Sequence, residues 1–190
     1  GVSSAASDVY KRQVATPSVE ENLASVDALV REAAAGGARL VALPENAAIM
    51  GRHERDKVAV READGDGPVQ RRLAEIAARE RVWLVAGTIP LEASVPDKVR
   101  AACLVFDDTG RRVARYDKIH LFGFEQGTER YQEANTIEHG RDPVVVDSPL
   151  GRLGLSVCYD VRFPELYRGF GPVDMIFVPS AFTVPTGRAH

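Results

Sequence analysis

The strongest constraint on the fold of this chain is a series of short, almost continuous apolar segments that alternate with amphipathic helical patterns. Segments 82–89 and 99–106 contain few polar residues, which is typical of strands buried on both faces of a sheet. Helical patterns begin at a capping box that starts with Ser18 and at the Gly67-Pro68 pair, since both are helix-start signals. The alternation therefore predicts an α/β fold in which helices cover buried sheets.

The predicted order of elements is helix, strand, helix, three strands, a loop over residues 122–142, two strands, a short helix and a last strand. Residues 1–13 show neither helical nor strand periodicity, and we expect them to be a disordered or foreign extension. Residues 14–190 are then expected to form one domain, because they contain no linker, repeat or low-complexity tract.

Composition excludes several classes of function. The 190 residues carry a formal net charge of −3, and no basic patch predicts a nucleic-acid partner. No apolar run approaches the roughly 20 residues that span a bilayer, and the N-terminus lacks the apolar core of a signal peptide, so we predict a cytoplasmic location. The four histidines have no paired metal-ligand spacing, and we expect neither a metal nor a disulfide.

Three of the predicted strands end at a reactive side chain, and these side chains are Glu45, Lys118 and Cys158. Ligand sites of layered α/β folds gather at strand ends, where a rigid sheet gives way to an exposed loop. Cys158 also precedes a strand-to-helix turn, where a helix N-terminus is expected to lower the pKa of the thiol. Cys158 is therefore a candidate nucleophile, Glu45 a candidate general base and Lys118 a candidate oxyanion-stabilising cation.

Each candidate also has a purely structural interpretation. A lone cysteine in an apolar strand is most often a small core residue. Glu45 fits a solvated loop carboxylate, and Lys118 fits a surface charge paired with Asp117. Pairwise spacing alone does not separate these interpretations from the catalytic ones.

Three longer segments are similar to the signature segments of the nitrilase superfamily of carbon–nitrogen hydrolases. They are 43–46 (LPEN), 116–122 (YDKIHLF) and 154–165 (GLSVCYDVRFPE), in that order along the chain. The resemblance covers roughly residues 14–190. It implies an α-β-β-α sandwich with a Glu45–Lys118–Cys158 triad and no cofactor.

The resemblance also implies further site residues. A second glutamate of the family site corresponds to Glu133, with Glu125 as a competing candidate because loop length varies here. The backbone N–H of Tyr159 is expected to help hold the oxyanion, and Arg162 is expected to lock the turn or contact an anionic substrate.

Residues 118–133 look most similar to the Nit amidase branch, which includes omega-amidase and deaminated glutathione amidase. This implies cysteine-dependent hydrolysis of a small carboxylate-bearing amide through a thioester, and assembly as a homo-oligomer. Relative to the family, the sandwich is expected to be incomplete at both ends, with residues 1–13 replacing its first strand.

Two other classes stay open at this point. A thiol hydrolase of the glutamine amidotransferase type would require a glycine-flanked nucleophile and a histidine after it, whereas Val157 and Tyr159 flank Cys158 and only His190 follows. A non-catalytic domain that keeps the sandwich is the third class, and N-carbamoyl amino acids are an alternative substrate within the family.

Overall fold

The computed structural model describes residues 13–126 and 129–182, and for Gln126, Glu129 and Arg130 the description is limited to the backbone. The helices are α1 (Val19–Ala35), α2 (Asp56–Ala59), α3 (Pro68–Glu80) and α4 (Pro164–Gly169). The strands are β1 (Leu40–Ala42), β2 (Trp83–Glu92), β3 (Val99–Phe106), β4 (Arg112–Asp117), β5 (Gly123–Gln126), β6 (Glu129–Gln132), β7 (Val144–Ser148), β8 (Gly151–Leu155) and β9 (Met175–Phe177). Short 3-10 turns span Glu133–Asn135 and Cys158–Arg162.

The strands form two main sheets and a separate hairpin. The first sheet has the order β1-β2-β3-β4, in which β1 is parallel to β2 and the other neighbours are antiparallel. The second has the order β7-β8-β9, with β7 antiparallel and β9 parallel to β8. Strands β5 and β6 pair only with each other.

The two sheets pack face to face between helices. Leu84 and Leu104 of the first sheet share a core cluster with α1 and α3, whereas their strand neighbours Val85 and Cys103 share another with the second sheet. This alternation follows from the two-residue period of a strand. Helix α4 lies against the second sheet, and the ring of Phe170, just after the helix, packs on Gly154 of β8. The packing is so close that a Cβ at Gly154 would come 2.7 Å from this ring. The predicted α-β-β-α sandwich is confirmed.

The predicted helix boundaries hold where capping chemistry fixes them. The Ser18 hydroxyl accepts a hydrogen bond from the Glu21 N–H at 3.3 Å, and α1 ends before Gly36-Gly37. Gly37 has a φ of +89°, a conformation that glycine adopts at little cost. Helix α3 begins at Pro68, where the missing N–H removes no helical hydrogen bond.

The prediction of a loop over residues 122–142 is wrong in part, because this segment contains the β5–β6 hairpin and a 3-10 turn. The hairpin strands have four residues each, too short and too polar to give an apolar strand signal. Gln13, assigned to the extension by its sequence, is nearly buried, and its side-chain amide donates to the Ala47 carbonyl at 2.8 Å. The rest of that extension, residues 1–12, lies outside the described residues.

Within the described ranges, none of the helices has the length and apolar character needed to cross a membrane.

Candidate active site

Two of the three candidate residues follow strands that finish at the same end of the first sheet. Strand β4 runs in the same direction as β1 and β2, because β3 is antiparallel to both β2 and β4. Glu45 follows the end of β1 and Lys118 follows the end of β4 directly. The topology therefore places both residues beside the same end of the sheet.

A bulge in β2 shapes the loop that carries Glu45. The register of β2 against β3 shifts between Ala86 and Ile89, and a Cβ on Gly87 would lie only 1.7 Å from the Pro44 carbonyl oxygen. Glycine is required there because any side chain would collide with this backbone. The next residue, Thr88, accepts a hydrogen bond from the Asn46 N–H at 2.8 Å, which fixes the loop immediately after Glu45.

Lys118 is fully buried and binds two carboxylates. Its Nζ lies 2.8 Å from Glu45 Oε1 and 2.9 Å from Glu133 Oε1. Asp117 instead pairs with Arg115 at 2.8 and 2.9 Å, so the interpretation of Lys118 as a surface partner of Asp117 is wrong. Glu133 Oε2 also lies 2.8 Å from Lys118 Nζ. An ammonium group has three N–H donors, of which two serve the hydrogen bonds to Glu45 Oε1 and Glu133 Oε1.

The β5–β6 hairpin brings Glu133 to this lysine. At the base of the hairpin, Glu133 N donates to the Phe122 carbonyl at 3.0 Å, and Glu133 Oε2 accepts from Phe122 N at 2.7 Å. Glu133 is buried, whereas the competing candidate Glu125 is exposed on β5. Of the two glutamates, the structure thus brings only Glu133 into contact with Lys118.

Cys158 enters the site from the second sheet, three residues after β8. It opens a 3-10 turn with a φ of +47°, a left-handed conformation that is uncommon and costly for a residue other than glycine. Its N–H donates to the Pro179 carbonyl at 2.9 Å, and its Sγ lies 4.0 Å from the Ala181 carbonyl. Because Ala181 N donates to Glu45 Oε2 at 3.0 Å, one short segment contacts both the thiol and the carboxylate.

Burial and charge set the protonation of these groups. Burial raises the pKa of Glu45; the nearby Lys118 lowers it, Glu133 raises it, and the net shift is upward. Burial alone would lower the pKa of Lys118, but Glu45 and Glu133 reverse this and raise it, so the ammonium stays charged. A raised carboxylate pKa produces a stronger base, held here beside a permanent cation.

The thiol pKa differs from the sequence-based expectation. Burial and then the charge of Glu45 raise the pKa of Cys158 to about 12, while Lys118 opposes the shift. The expected lowering by a helix N-terminus is wrong, because the residue opens a 3-10 turn and α4 begins only at Pro164. Formation of a thiolate at Cys158 therefore requires a base, and Glu45 is the carboxylate whose charge acts on this thiol.

Sequence reasoning missed the buried carboxylate that holds the cysteine turn. Asp160 accepts hydrogen bonds from Tyr116 Oη at 2.7 Å, from Val157 N at 2.8 Å and from His120 N at 2.9 Å. His120 in turn stacks on Phe163, with ring centroids 3.6 Å apart. Asp160 thus ties the turn to the segment that carries Lys118. The only signal in the sequence was that Asp160 lies in the third resembling segment.

The structure also places the remaining predicted site residues. The Tyr159 ring packs edge-on against Phe122 and Phe163, at centroid distances of 5.3 and 5.5 Å. The first hydrogen bond within the 3-10 turn runs from Asp160 N to the Val157 carbonyl. The N–H of Tyr159 comes one residue earlier, and N–H groups at this position have no acceptor within the turn. Arg162 is exposed at the end of the same turn.

No group of three or more His, Cys, Asp or Glu side chains that could hold a metal ion occurs in residues 13–126 and 129–182.

The family model described as carbon–nitrogen hydrolase matches residues 9–186, and so includes the last five residues of the predicted extension. The chain belongs to the carbon–nitrogen hydrolase family. This result confirms the resemblance to the nitrilase superfamily that the three sequence segments indicated.

Relatives of this chain include named amidases. The chain is 37% identical over 180 residues to a deaminated glutathione amidase of Yersinia enterocolitica, covering 90% of this chain and 60% of the relative. It is 33% identical over 178 residues to an omega-amidase of Homo sapiens, covering 90% and 61%. The chain thus spans about three fifths of the length of these relatives.

Solved structures agree on the fold. The C. elegans NitFhit protein matches with a TM-score of 0.83 at 32% identity, over 94% of this chain and 44% of that chain. An amidase from Nesterenkonia sp. AN1, solved after Michael addition of acrylamide at its active-site cysteine, matches with a TM-score of 0.74 at 26% identity, over 90% and 64%.

Proposed function

We propose that this chain hydrolyses the carbon–nitrogen bond of small linear amides, with Cys158 as nucleophile, Glu45 as general base and acid, and Lys118 as oxyanion-stabilising cation. The observation that carries the proposal is the buried network in which Lys118 bridges Glu45 and Glu133 while residue 181 joins Glu45 to the thiol. A fully buried lysine with two carboxylates is costly to maintain for stability alone, and perturbed groups of this kind cluster at functional sites.

The first half of the reaction forms a thioester. Glu45 removes the proton of the Cys158 thiol as the sulfur attacks the amide carbon. The third N–H of Lys118 and the N–H of Tyr159 hold the oxyanion that develops on the carbonyl oxygen. When the tetrahedral intermediate collapses, Glu45 returns the proton to the nitrogen, and ammonia or an amine leaves.

The second half returns the enzyme to its starting state. Glu45 removes a proton from water, whose oxygen attacks the thioester carbon, and the same two donors hold the new oxyanion. Collapse breaks the carbon–sulfur bond, releases the carboxylic acid and gives the proton back to the thiol. Together with Glu45, Glu133 keeps Lys118 charged and in place.

We propose deaminated glutathione, a small amide that carries a carboxylate, as the first candidate substrate. Support comes from bacterial relatives named deaminated glutathione amidase, at 37 and 38% identity, against 33 and 34% for relatives named omega-amidase. A deaminated glutathione amidase of Dictyostelium discoideum is 33% identical. Omega-amidase activity, hydrolysis of N-carbamoyl amino acids, and an inactive sandwich domain are the alternatives. A cytoplasmic location and homo-oligomeric assembly stay predictions from the sequence.

A substrate panel tests the proposal. The chain is assayed with deaminated glutathione, α-ketoglutaramate, an aliphatic nitrile and an N-carbamoyl amino acid, and kcat/KM is compared. We expect the two carboxylate-bearing amides to be preferred, deaminated glutathione first. Preference for the nitrile or the carbamoyl compound would contradict the substrate assignment, and no turnover of any compound would favour the inactive domain.

The raised pKa of Glu45 predicts a specific pH dependence. Protonation removes the base, so kcat/KM is expected to fall as the pH drops through a pKa that lies above the ordinary 4.5 of glutamate. In Glu45→Gln the fall governed by the Glu45 pKa is expected to disappear. The small remaining rate then rises with pH through the higher pKa of the thiol, which must ionise unaided. Profiles of both proteins between about pH 4 and 10 check this; an identical acid limb in both would exclude Glu45 as the base.

A further inference from the structure

The sequence analysis offered Arg162 as a cation for an anionic substrate, but the structure contains another beside the site. Lys57 lies in α2, a short helix absent from the predicted elements, and its side chain is half-buried. Among the side chains that the structure describes, its ammonium has no hydrogen-bond or ion-pair partner. A half-buried ammonium without an acceptor is unfavourable, because folding removes part of its hydration without a replacement.

Lys57 lines a small pocket that is partly open to solvent and lies near the proposed catalytic residues. Asn46, on one wall, directly follows Glu45 in the chain, and Ala101, on another, accepts a hydrogen bond from Lys118 N at 3.0 Å. The charges of Glu133 and Glu45 both act on Lys57, so the ammonium lies within electrostatic range of the network.

The remaining walls divide into a polar and an apolar part. Thr88 Oγ1 donates to Asn46 Oδ1 at 3.4 Å, which leaves the Asn46 amide N–H donors without an acceptor in the described part of the chain. Asn46 has a φ of +60°, and left-handed residues of this kind cluster at ligand sites. The rest of the lining is mainly aliphatic and comes from Ile49, Ile89, Pro90, Val99, Ala101 and Ile137.

We propose that Lys57 and the Asn46 amide bind the distal carboxylate of the amide substrate, whose aliphatic spacer lies against the apolar wall of this pocket. The inference rests on the proposed function and adds a specificity-determining residue to it. A carboxylate supplies the negative charge that Lys57 lacks and accepts the N–H of Asn46. Bound ligand anions of this type occupy mostly apolar pockets with a few convergent polar groups.

A competing explanation is that Lys57 only balances charge. Lys118, Glu45 and Glu133 together carry a net charge of −1 when all are ionised, and a nearby ammonium offsets it. In that case Lys57 influences only Glu45 and Lys118, and its removal changes kcat/KM by the same factor for every substrate. The two explanations differ in whether the effect of removing Lys57 depends on a carboxylate in the substrate.

The experiment compares dicarboxylic acid monoamides with two, three or four methylene groups against neutral aliphatic amides of matched length. The readout is the preference ratio, which is kcat/KM for the monoamide divided by kcat/KM for its neutral counterpart. In Lys57→Met we expect this ratio to fall at least about tenfold, the scale of one charged hydrogen bond. Lys57→Arg should restore part of it.

Arg55→Met is the matched control. It removes one positive charge at the start of the same helix, but from a side chain that is 72% exposed and 3.6 Å from Asp97. The preference ratio of Arg55→Met is expected to stay within about twofold of that of the unchanged chain, because exposed charges are strongly screened. An equal fall of the ratio in both variants would overturn the proposal in favour of long-range electrostatics.

Failure of this proposal is separable from failure of the proposed function. If amides are hydrolysed but the ratio is unchanged in Lys57→Met, the carboxylate site is overturned and the amidase stands. If no amide is hydrolysed, the amidase fails, and calorimetric binding of the monoamide and neutral amide to the Cys158→Ala chain decides the site. If Lys57→Met weakens binding of the monoamide alone, by at least about tenfold, the carboxylate site is supported. If it weakens binding of both amides equally, the site is overturned.

Discussion

Replacing Cys158 by alanine is expected to reduce kcat/KM by at least about 10⁴-fold, because no other group near Glu45 can form the thioester. The fold is expected to survive, since Cys158 is only partly buried and its backbone N–H keeps its bond to Pro179. Circular dichroism and the urea midpoint check that both proteins are folded, and single-turnover mass spectrometry checks for loss of the covalent intermediate.

Cys103→Ala is the matched control for that variant. Cys103 is fully buried between the two sheets, and burial raises its pKa to about 12. Its replacement is expected to lower the free energy of unfolding by about 1 kcal/mol through lost packing, with turnover changed less than about twofold. Equal losses of activity in both variants would mean that folding, and not chemistry, explains the effect of Cys158.

Replacing Lys118 by arginine is expected to lower kcat/KM at least about a hundredfold, the cost of losing one oxyanion donor. Arginine keeps the charge, but its planar fork directs two donors to each carboxylate and leaves none in the place of the third lysine N–H. A fully buried site also has no room for the larger group without movement of Glu45 or Glu133.

Lys98→Arg serves as the control for this change. Lys98 Nζ donates to the Ala134 carbonyl in an exposed contact at 2.6 Å, which an arginine N–H can replace. Steady-state kinetics and urea unfolding of both variants separate catalysis from stability. Near-normal turnover of the Lys118→Arg protein would remove the ammonium from the mechanism.

Local sequence signals predicted the fold because they act over a few residues. The capping box at Ser18, the glycines after α1 and the apolar strands were sufficient to indicate two-sided burial. The β5–β6 hairpin was missed because its strands are short and lie outside the main sheets, so neither face requires an apolar run. Helix α2 was missed for a similar reason: one turn of helix shows no measurable period.

The candidate site was predictable as a set of residues but not as a set of contacts. Strand ends indicated Glu45 and Lys118, whereas the choice between Glu133 and Glu125 depended on the path of the hairpin. The hydrogen bonds from Tyr116 and His120 to Asp160, like the pocket beside Lys57, join segments far apart in the chain. Such contacts depend on tertiary packing, which no local period encodes.

The bond between Ala181 N and Glu45 Oε2 joins residues 136 positions apart, and this separation bears on when the site matures. Closing a loop of that length is a late event, because its entropy is recovered only after both sheets have formed. In the proposed mechanism, a nascent chain that has not yet delivered residue 181 holds the Cys158 thiol without a positioned base. The separation along the chain then delays the reactivity of this thiol until the sandwich has assembled, so that thiol reactivity reports completed folding.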